Sequence, residues 1–466
     1  MSMDADDFLE GDVQKKVEQY ELMLKNNEQQ FFDADAFEDI VDHYLENHKL
    51  KKALAVIDYA HSIYPFSVIF LLRKAQICSI LGNFKQGHDA LNKAESLEPS
   101  NSELNYVRGE ILDQEEKYEE AIESYEKALL NSDERNEIKL SMSFVYENWG
   151  KYANALQLLK EILTDEPGNE QVLYEIAYCY DAMDLPEESI SFYKQYIDSQ
   201  PYSFAAWFNL GVMYTKLGLY EKAVWAYDYS TIINENFGSG YFNKANALVE
   251  LNKYEEAIKL YKQTIEIEGP DAITFCNIGA CYEKLDRMAE ARSFYKKATK
   301  HNAKMAEAWY GIGVTFDADG RLEEAVTFIK KAINLDDEDV DYWQALAEVY
   351  SKMGEDELAL KSYRKASEID PYIPELWVDW SEIVFETDKQ AAVKLVEEGL
   401  LFNKESHELK YRLVAYFYKV GMINESLIQL EEALELNFEE HTLLFNFAPE
   451  LSASVVIMDL IDTYRD

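Results

Sequence analysis

Proline and glycine are scarce, with 9 and 18 among 466 residues. A turn-rich β architecture needs both in quantity, so this shortage points to helices. Basic residues are also outnumbered: 45 Lys and Arg face 88 Asp and Glu, a net charge of −43. Neutralising phosphates requires a basic face, so no nucleic-acid partner is expected. The four cysteines, Cys78, Cys179, Cys276 and Cys281, form no CxxC pair. That spacing predicts neither a disulfide scaffold nor a zinc ribbon, but reduced thiols packed as small apolar groups. Long hydrophobic runs are missing: Val455 to Met458 is a run of four residues, where a membrane span needs ~20. The stretch Met1 to Asp12 carries five acidic residues and no basic one, unlike a secretory leader. The expectation is a soluble cytoplasmic protein with no membrane partner.

Signs of chemistry are equally thin. No GxxxxGK[ST] or GxGxxG loop occurs, and Gly311 to Gly313 match only half of the latter. The seven histidines are scattered, and His43 and His48 straddle a predicted turn instead of sharing a helix face. The chain is therefore expected to be no enzyme, with no cofactor and no metal.

What is abundant is apolar and aromatic residues, 48% and 14%, too many for an acidic disordered chain. They recur with a period of 34: Trp207 is followed by Tyr241, Phe275, Trp309, Trp343 and Trp377. Small residues hold a second phase (Gly211, Ala245, Gly279, Gly313), and alanines a third (Ala223, Ala257, Ala291, Ala325, Ala359). Within residues 204–237, Trp207, Leu210, Gly211 and Tyr214 stand at i, i+3, i+4 and i+7 of one helix. Gly218 breaks the chain, and Ala223, Tyr227 and Ser230 mark the inner face of a second helix. Each unit thus reads as a helix–turn–helix hairpin, with Gly211 and Ala223 permitting close approach of the backbones.

Trp207, Leu210, Gly211, Tyr214, Ala223 and Tyr227, with closing prolines such as Pro201 and Pro371, resemble the tetratricopeptide repeat pattern. Twelve units begin at residues 34, 68, 102, 136, 170, 204, 238, 272, 306, 340, 374 and 407, the eleventh one residue short. The resemblance implies an all-α fold, an α-solenoid wound as a right-handed superhelix, its concave groove lined by first helices. The predicted organisation is an acidic arm and capping helix at 1–33, one solenoid domain at 34–440 and a capping helix at 441–466. In the front cap, Val13, Val17, Tyr20 and Leu24 form the apolar stripe. In the back cap, Pro449 opens a helix that buries Leu451, Val455 and Met458 and ends near Tyr464.

Candidate binding residues fall at the fifth and sixth places of the first helices. Asn209, Asn243 and Asn277 hold the sixth place in three consecutive units, and Asn246 stands near them. An Asn amide can bond both N–H and C=O of an extended peptide, so such a row reads backbone, not sequence. It is similar to the asparagine ladder in the repeat superhelix of O-linked N-acetylglucosamine transferases, although the transferase domain is absent. The alternative is that these amides crosslink neighbouring hairpins. Tyr174, Phe208, Phe242 and Tyr310 supply rings at the fifth place. A chaperone-type carboxylate clamp fits poorly, because Phe242, Glu307 and Gly311 occupy its cationic positions. Three amides making two bonds each would give roughly 3–9 kcal/mol before ordering costs, and micromolar binding needs about 8 kcal/mol after them. The expected function is a scaffold or chaperone-like adaptor that holds an extended basic or neutral polypeptide segment. The alternative is an assembly protein using its caps or convex face, and the oligomeric state stays open.

Overall fold

In the computed structural model, residues 3–26 and 29–465 are described. The chain is 79% helix, and no strand occurs among the described residues. A long helix, α1 (Met3–Asn26), precedes a succession of helix pairs. In the first half these are α2 (Ala34–Glu46) with α3 (Leu50–Ile63), α4 (Val68–Ile80) with α5 (Phe84–Leu97), and α6 (Ser102–Gln114) with α7 (Tyr118–Leu129). Then come α8 (Arg135–Asn148) with α9 (Tyr152–Asp165), α10 (Glu170–Ala182) with α11 (Pro186–Ser199), and α12 (Phe204–Lys216) with α13 (Tyr220–Ile233). The second half continues with α14 (Gly238–Glu250) and α15 (Tyr254–Glu268), α16 (Ala272–Lys284) and α17 (Met288–His301), and α18 (Ala306–Ala318) and α19 (Leu322–Ile333). It ends with α20 (Val340–Lys352) and α21 (Asp356–Ile369), α22 (Pro374–Thr387) and α23 (Lys389–Phe402), and α24 (His407–Lys419) and α25 (Ile423–Leu436). By packing the chain divides into two compact units, 1–233 and 234–466.

The turn inside each pair has a backbone cause. His48, Gly82, Glu116, Gly150, Asp184, Gly218, Asn252, Asp286, Gly320 and Gly354 lie 34 residues apart and all have positive φ, between 54° and 75°. A left-handed residue just past the helix end lets following N–H groups reach back to the last carbonyls and stops the helix. At Gly218, its N–H bonds Thr215 O at 2.9 Å and the Leu219 N–H bonds Tyr214 O at 2.9 Å. The short eleventh repeat has lost this residue. Asp388 alone joins α22 to α23, closing one and accepting from the Gln390 and Ala391 amides at the start of the other.

Packing inside a pair follows the small residues. A Cβ built on Gly211 would sit 2.6 Å from the Tyr227 ring, and one on Gly109 2.7 Å from Tyr125. The glycine is thus the socket for the tyrosine of the second helix, whose large fully buried ring fills the crossing. The repeated tryptophans act as clasps: the indole N–H of Trp207, Trp309, Trp343 and Trp377 each donates to a loop carbonyl six residues earlier, at 2.9 Å.

Both caps depart from the predicted register. Among the described side chains of α1, those of residues 12–26, the buried ones are Val17, Tyr20 and Met23, while Leu24 is 54% exposed. Tyr20 packs edge-on against Phe32, Phe37 and Tyr59 and sets the rotation of the helix. Of the acidic stretch, Met1 and Ser2 lie outside the described residues, and from Met3 the backbone is helical. At the other end a short helix, α26 (Leu443–Phe447), leads into a 3-10 turn, η1 (Pro449–Ala453), and then α27 (Val455–Thr463). Leu451 is buried as predicted, but Val455 is 71% exposed, and Ile457 and Ile461 form the buried face. The break at Ser454 rotates the helix away from the continuous phase that Pro449 would have started. Asp466 lies outside the described residues.

Candidate functional site

First helices touch not only their partners but also the next first helix. Such contacts join α4 to α6 and α10 to α12 in one unit, and α16 to α18, α18 to α20 and α22 to α24 in the other. The candidate residues lie on these first helices.

In the first unit, the Tyr174 ring is 36% exposed and meets Phe208 edge-on at 6.4 Å. Phe208 in turn leans on Tyr227 at 5.7 Å. Burial pushes the Tyr174 hydroxyl up from its ordinary value. Asn209 is a different case. It is 3% exposed, and its amide donates to the Leu173 carbonyl at 3.3 Å. Tyr193 donates to the same carbonyl at 2.6 Å and bonds the Asn209 amide. At Asn209, then, the amide joins adjacent hairpins from within. A further cleft of about 360 Å³ lies on α4, α6 and the start of α8, lined by Gln76, Glu103, Tyr106, Glu134 and Glu137.

In the second unit, Phe242 leans on Tyr261 at 5.6 Å and Tyr310 on Tyr342 at 4.8 Å. Asn243 is half-buried and donates to Ser239 O in its own helix at 2.9 Å. The Tyr261 hydroxyl donates to Asn246 Oδ1 at 2.5 Å and bonds the Asn277 amide as well. Tyr193 and Tyr261 occupy the same place in their repeats, and each meets the sixth-place Asn of the next one. The following tyrosine, Tyr295, finds Gly311 at that place, where a Cβ would come within 2.4 Å of its ring. At Asn209, Asn277 and Gly311 the sixth place is therefore a packing seat for the preceding tyrosine, and the first two amides satisfy polar atoms around the phenol.

A feature not read from the sequence is a series of half-buried carboxylates on the first helices. Burial raises Glu110 in the first unit, and Glu283 and Glu348 in the second, above the usual carboxylate range. Burial, with Glu175 nearby, lifts Glu147 to about 7 against the thiol bond from Cys179. Burial, with Glu348 beside it, lifts Asp379 to about 6 although Arg412 pulls the other way. Glu348, Asp379 and Glu382 line a cleft of about 480 Å³ together with Lys352, Tyr363 and Glu386. The cations there are engaged: Lys352 pairs with Asp317 at 2.6 Å, and buried Arg412 with Glu382 at 3.3 Å while stacking on Phe447. The missed signal was positional, since these acids sit at the sixth, ninth and twelfth places of their repeats. Among the described residues no group of three His, Cys, Asp or Glu could hold a metal ion, and no helix is long and apolar enough to cross a membrane.

Comparison with known proteins agrees with the repeat pattern. The tetratricopeptide repeat family matches residues 150–210 and 283–349, and related patterns of the same repeat match 81–136, 204–228, 245–286 and 340–372. No curated protein matches the chain. Among solved structures, a MamA segment from Desulfovibrio magneticus RS-1 is 20% identical, covering 36% of this chain and 94% of its own, with a TM-score of 0.34. YrrB, described as a TPR protein with an unusual peptide-binding site, is 20% identical over 38% of this chain and 92% of its own, at 0.33. The C-terminal part of a TPR repeat-containing protein from Cytophaga hutchinsonii is 17% identical over 51% and 98%, at 0.42.

Proposed function

Since the chain carries tetratricopeptide repeats, which serve as scaffolds for protein interaction, we propose that it holds an extended, basic or neutral polypeptide segment along its first helices. The observation that carries this reading is the cleft lined by Glu348, Asp379 and Glu382, in which the Glu348 and Asp379 carboxyl groups are raised. A carboxylate that has lost water and gained no full counter-charge is stabilised by an incoming ammonium or guanidinium. In the first unit, Tyr174 and Phe208 offer ring faces to such a segment, and Asn209 supports them from beneath. In the second unit, Phe242 and Tyr310 do the same, with Asn243, Asn246 and Asn277 supplying backbone hydrogen bonds. The amides already have partners within the fold, so backbone bonding alone gives weak, sequence-tolerant binding, and charge supplies the affinity.

The test uses a fluorescent Arg-rich extended peptide titrated into the full chain. Glu348→Gln combined with Asp379→Asn is expected to weaken binding about tenfold, the loss of one charge-assisted contact. Affinity rises between pH 5 and pH 8, because Asp379 becomes ionised as pH passes through about 6. Equal affinity of the double variant, with helicity intact, sinks the reading.

A further inference from the structure

Among the described residues, the outward places of the second helices are mostly polar, with Leu130, Leu401 and Ile428 standing singly, and α13 alone holds three large apolar side chains there. In α15 the exposed residues at i, i+4 and i+7 are Lys259, Gln263 and Glu266, and in α17 they are Ser293, Lys297 and Lys300. At the same three places α13 carries Trp225, Tyr229 and Ile232, which are 48%, 42% and 65% exposed. The opposite face of α13 is already fully used, burying Ala223, Ala226, Tyr227 and Ser230. Ile232 and the outer faces of the Trp225 and Tyr229 rings are therefore left uncovered by the packing of the repeat.

The stripe is also held rigid. Trp207 lies beneath it, stacked on Tyr229 at 4.6 Å and edge-on to Trp225 at 5.0 Å, and Trp225 meets Tyr229 at 5.2 Å. The Trp207 indole is itself clasped to Pro201 O. Rings fixed before binding lose little side-chain entropy when a partner arrives, which is the property of a binding anchor. An apolar stripe two turns long matches the i, i+3/i+4, i+7 side chains of another helix.

Charge selects the occupant. Exposed Glu221 and Lys222 both lie one turn before Trp225 and offset each other, so the −43 of the whole chain decides the sign of the attraction. A second copy would bring the same net charge against this stripe, and like charges disfavour that encounter. A helix with Lys or Arg flanking its apolar side is attracted instead. We propose that the outer face of α13 is a second docking surface, separate from the first-helix clefts, for a basic amphipathic helix of a partner protein.

The test exploits the repeat itself. Trp225→Lys, Tyr229→Gln and Ile232→Glu together install the residues that α15 carries at the same places, and they leave the net charge unchanged. The probe is a fluorescein-labelled amphipathic Leu/Lys helix, followed by anisotropy on the full-length chain, with a Leu/Glu helix of the same apolar face as control. The wild type is expected to bind the Leu/Lys helix at least about tenfold more tightly than the triple variant, with the Leu/Glu helix binding neither. Circular dichroism should show both proteins equally helical. Equal binding by the triple variant overturns the proposal, because unaltered charge would then explain the attraction. Sedimentation of the wild type as a dimer and the variant as a monomer also overturns it, in favour of a second copy on the stripe. Glu348→Gln with Asp379→Asn leaves this binding unchanged if the two surfaces are separate.

Discussion

Five of the ten left-handed turn positions hold a residue with a side chain, Glu116 and Asp184 among them. An L-residue held there is disfavoured by roughly 1–2 kcal/mol, offset in part by the greater unfolded freedom of glycine. Glu116→Gly is therefore expected to stabilise the protein by ~0.5–1 kcal/mol, and Gly218→Val to destabilise it by ~1–2 kcal/mol, both read from urea midpoints. Glu147 gives a pH signature of defined sign. Its folded pKa, about 7, lies above the ordinary value of 4.5, so its contribution to stability is present below about pH 4.5 and lost as pH rises through about 7. Glu147→Gln should flatten the fall in urea midpoint between pH 5 and pH 8; an unchanged slope would assign that fall to other groups. Asn209 shows the limit of reading a residue from its spacing. A sixth-place amide satisfies the periodicity equally well facing a peptide or bridging two hairpins, and only the position of Tyr193 distinguishes them.

At the scale of the element, the repeated helices were legible because twelve copies average out local ambiguity. Trp207, Gly211, Ala223 and Tyr227 recur, so their phase is measured many times over, and the structure buries all four. The caps occur once each, and a lone stripe does not distinguish i+3 from i+4. Met23 thus took the place expected for Leu24, and Ile457 and Ile461 that expected for Val455 and Met458. Truncation at the two candidate faces of α27 separates them: Ile461→Ala is expected to cost ~2–5 kcal/mol by leaving a cavity, whereas Val455→Ala should change little. Thermal melts followed in the far ultraviolet will rank the two. Within a hairpin, Gly211→Val drives methyl groups into the Tyr227 ring and should cost at least ~1–3 kcal/mol. The carboxylate cleft was hidden for a related reason. Acidic residues are so abundant that composition alone does not separate the solvated ones from Glu348 and Asp379, whose placement between first helices decides their chemistry.

For the whole molecule, the charge of −43 sets the conditions under which either surface works. Attraction between such a chain and a basic partner falls as the screening length shortens, about 10 Å at 0.1 M salt and 3 Å at 1 M. Binding of the Arg-rich peptide should therefore weaken steeply across that range, while the helix on the α13 stripe retains its apolar share. Repeats that contact mainly their neighbours do not share one global stability, and they open locally from weaker stretches. The indole clasps make that order observable. Trp207, Trp309, Trp343 and Trp377 each lose a hydrogen bond only when their own hairpin loosens, so exchange of their indole protons with heavy water times four separate repeats in one experiment. The chain carries its own set of stopwatches, one in the first unit and three in the second.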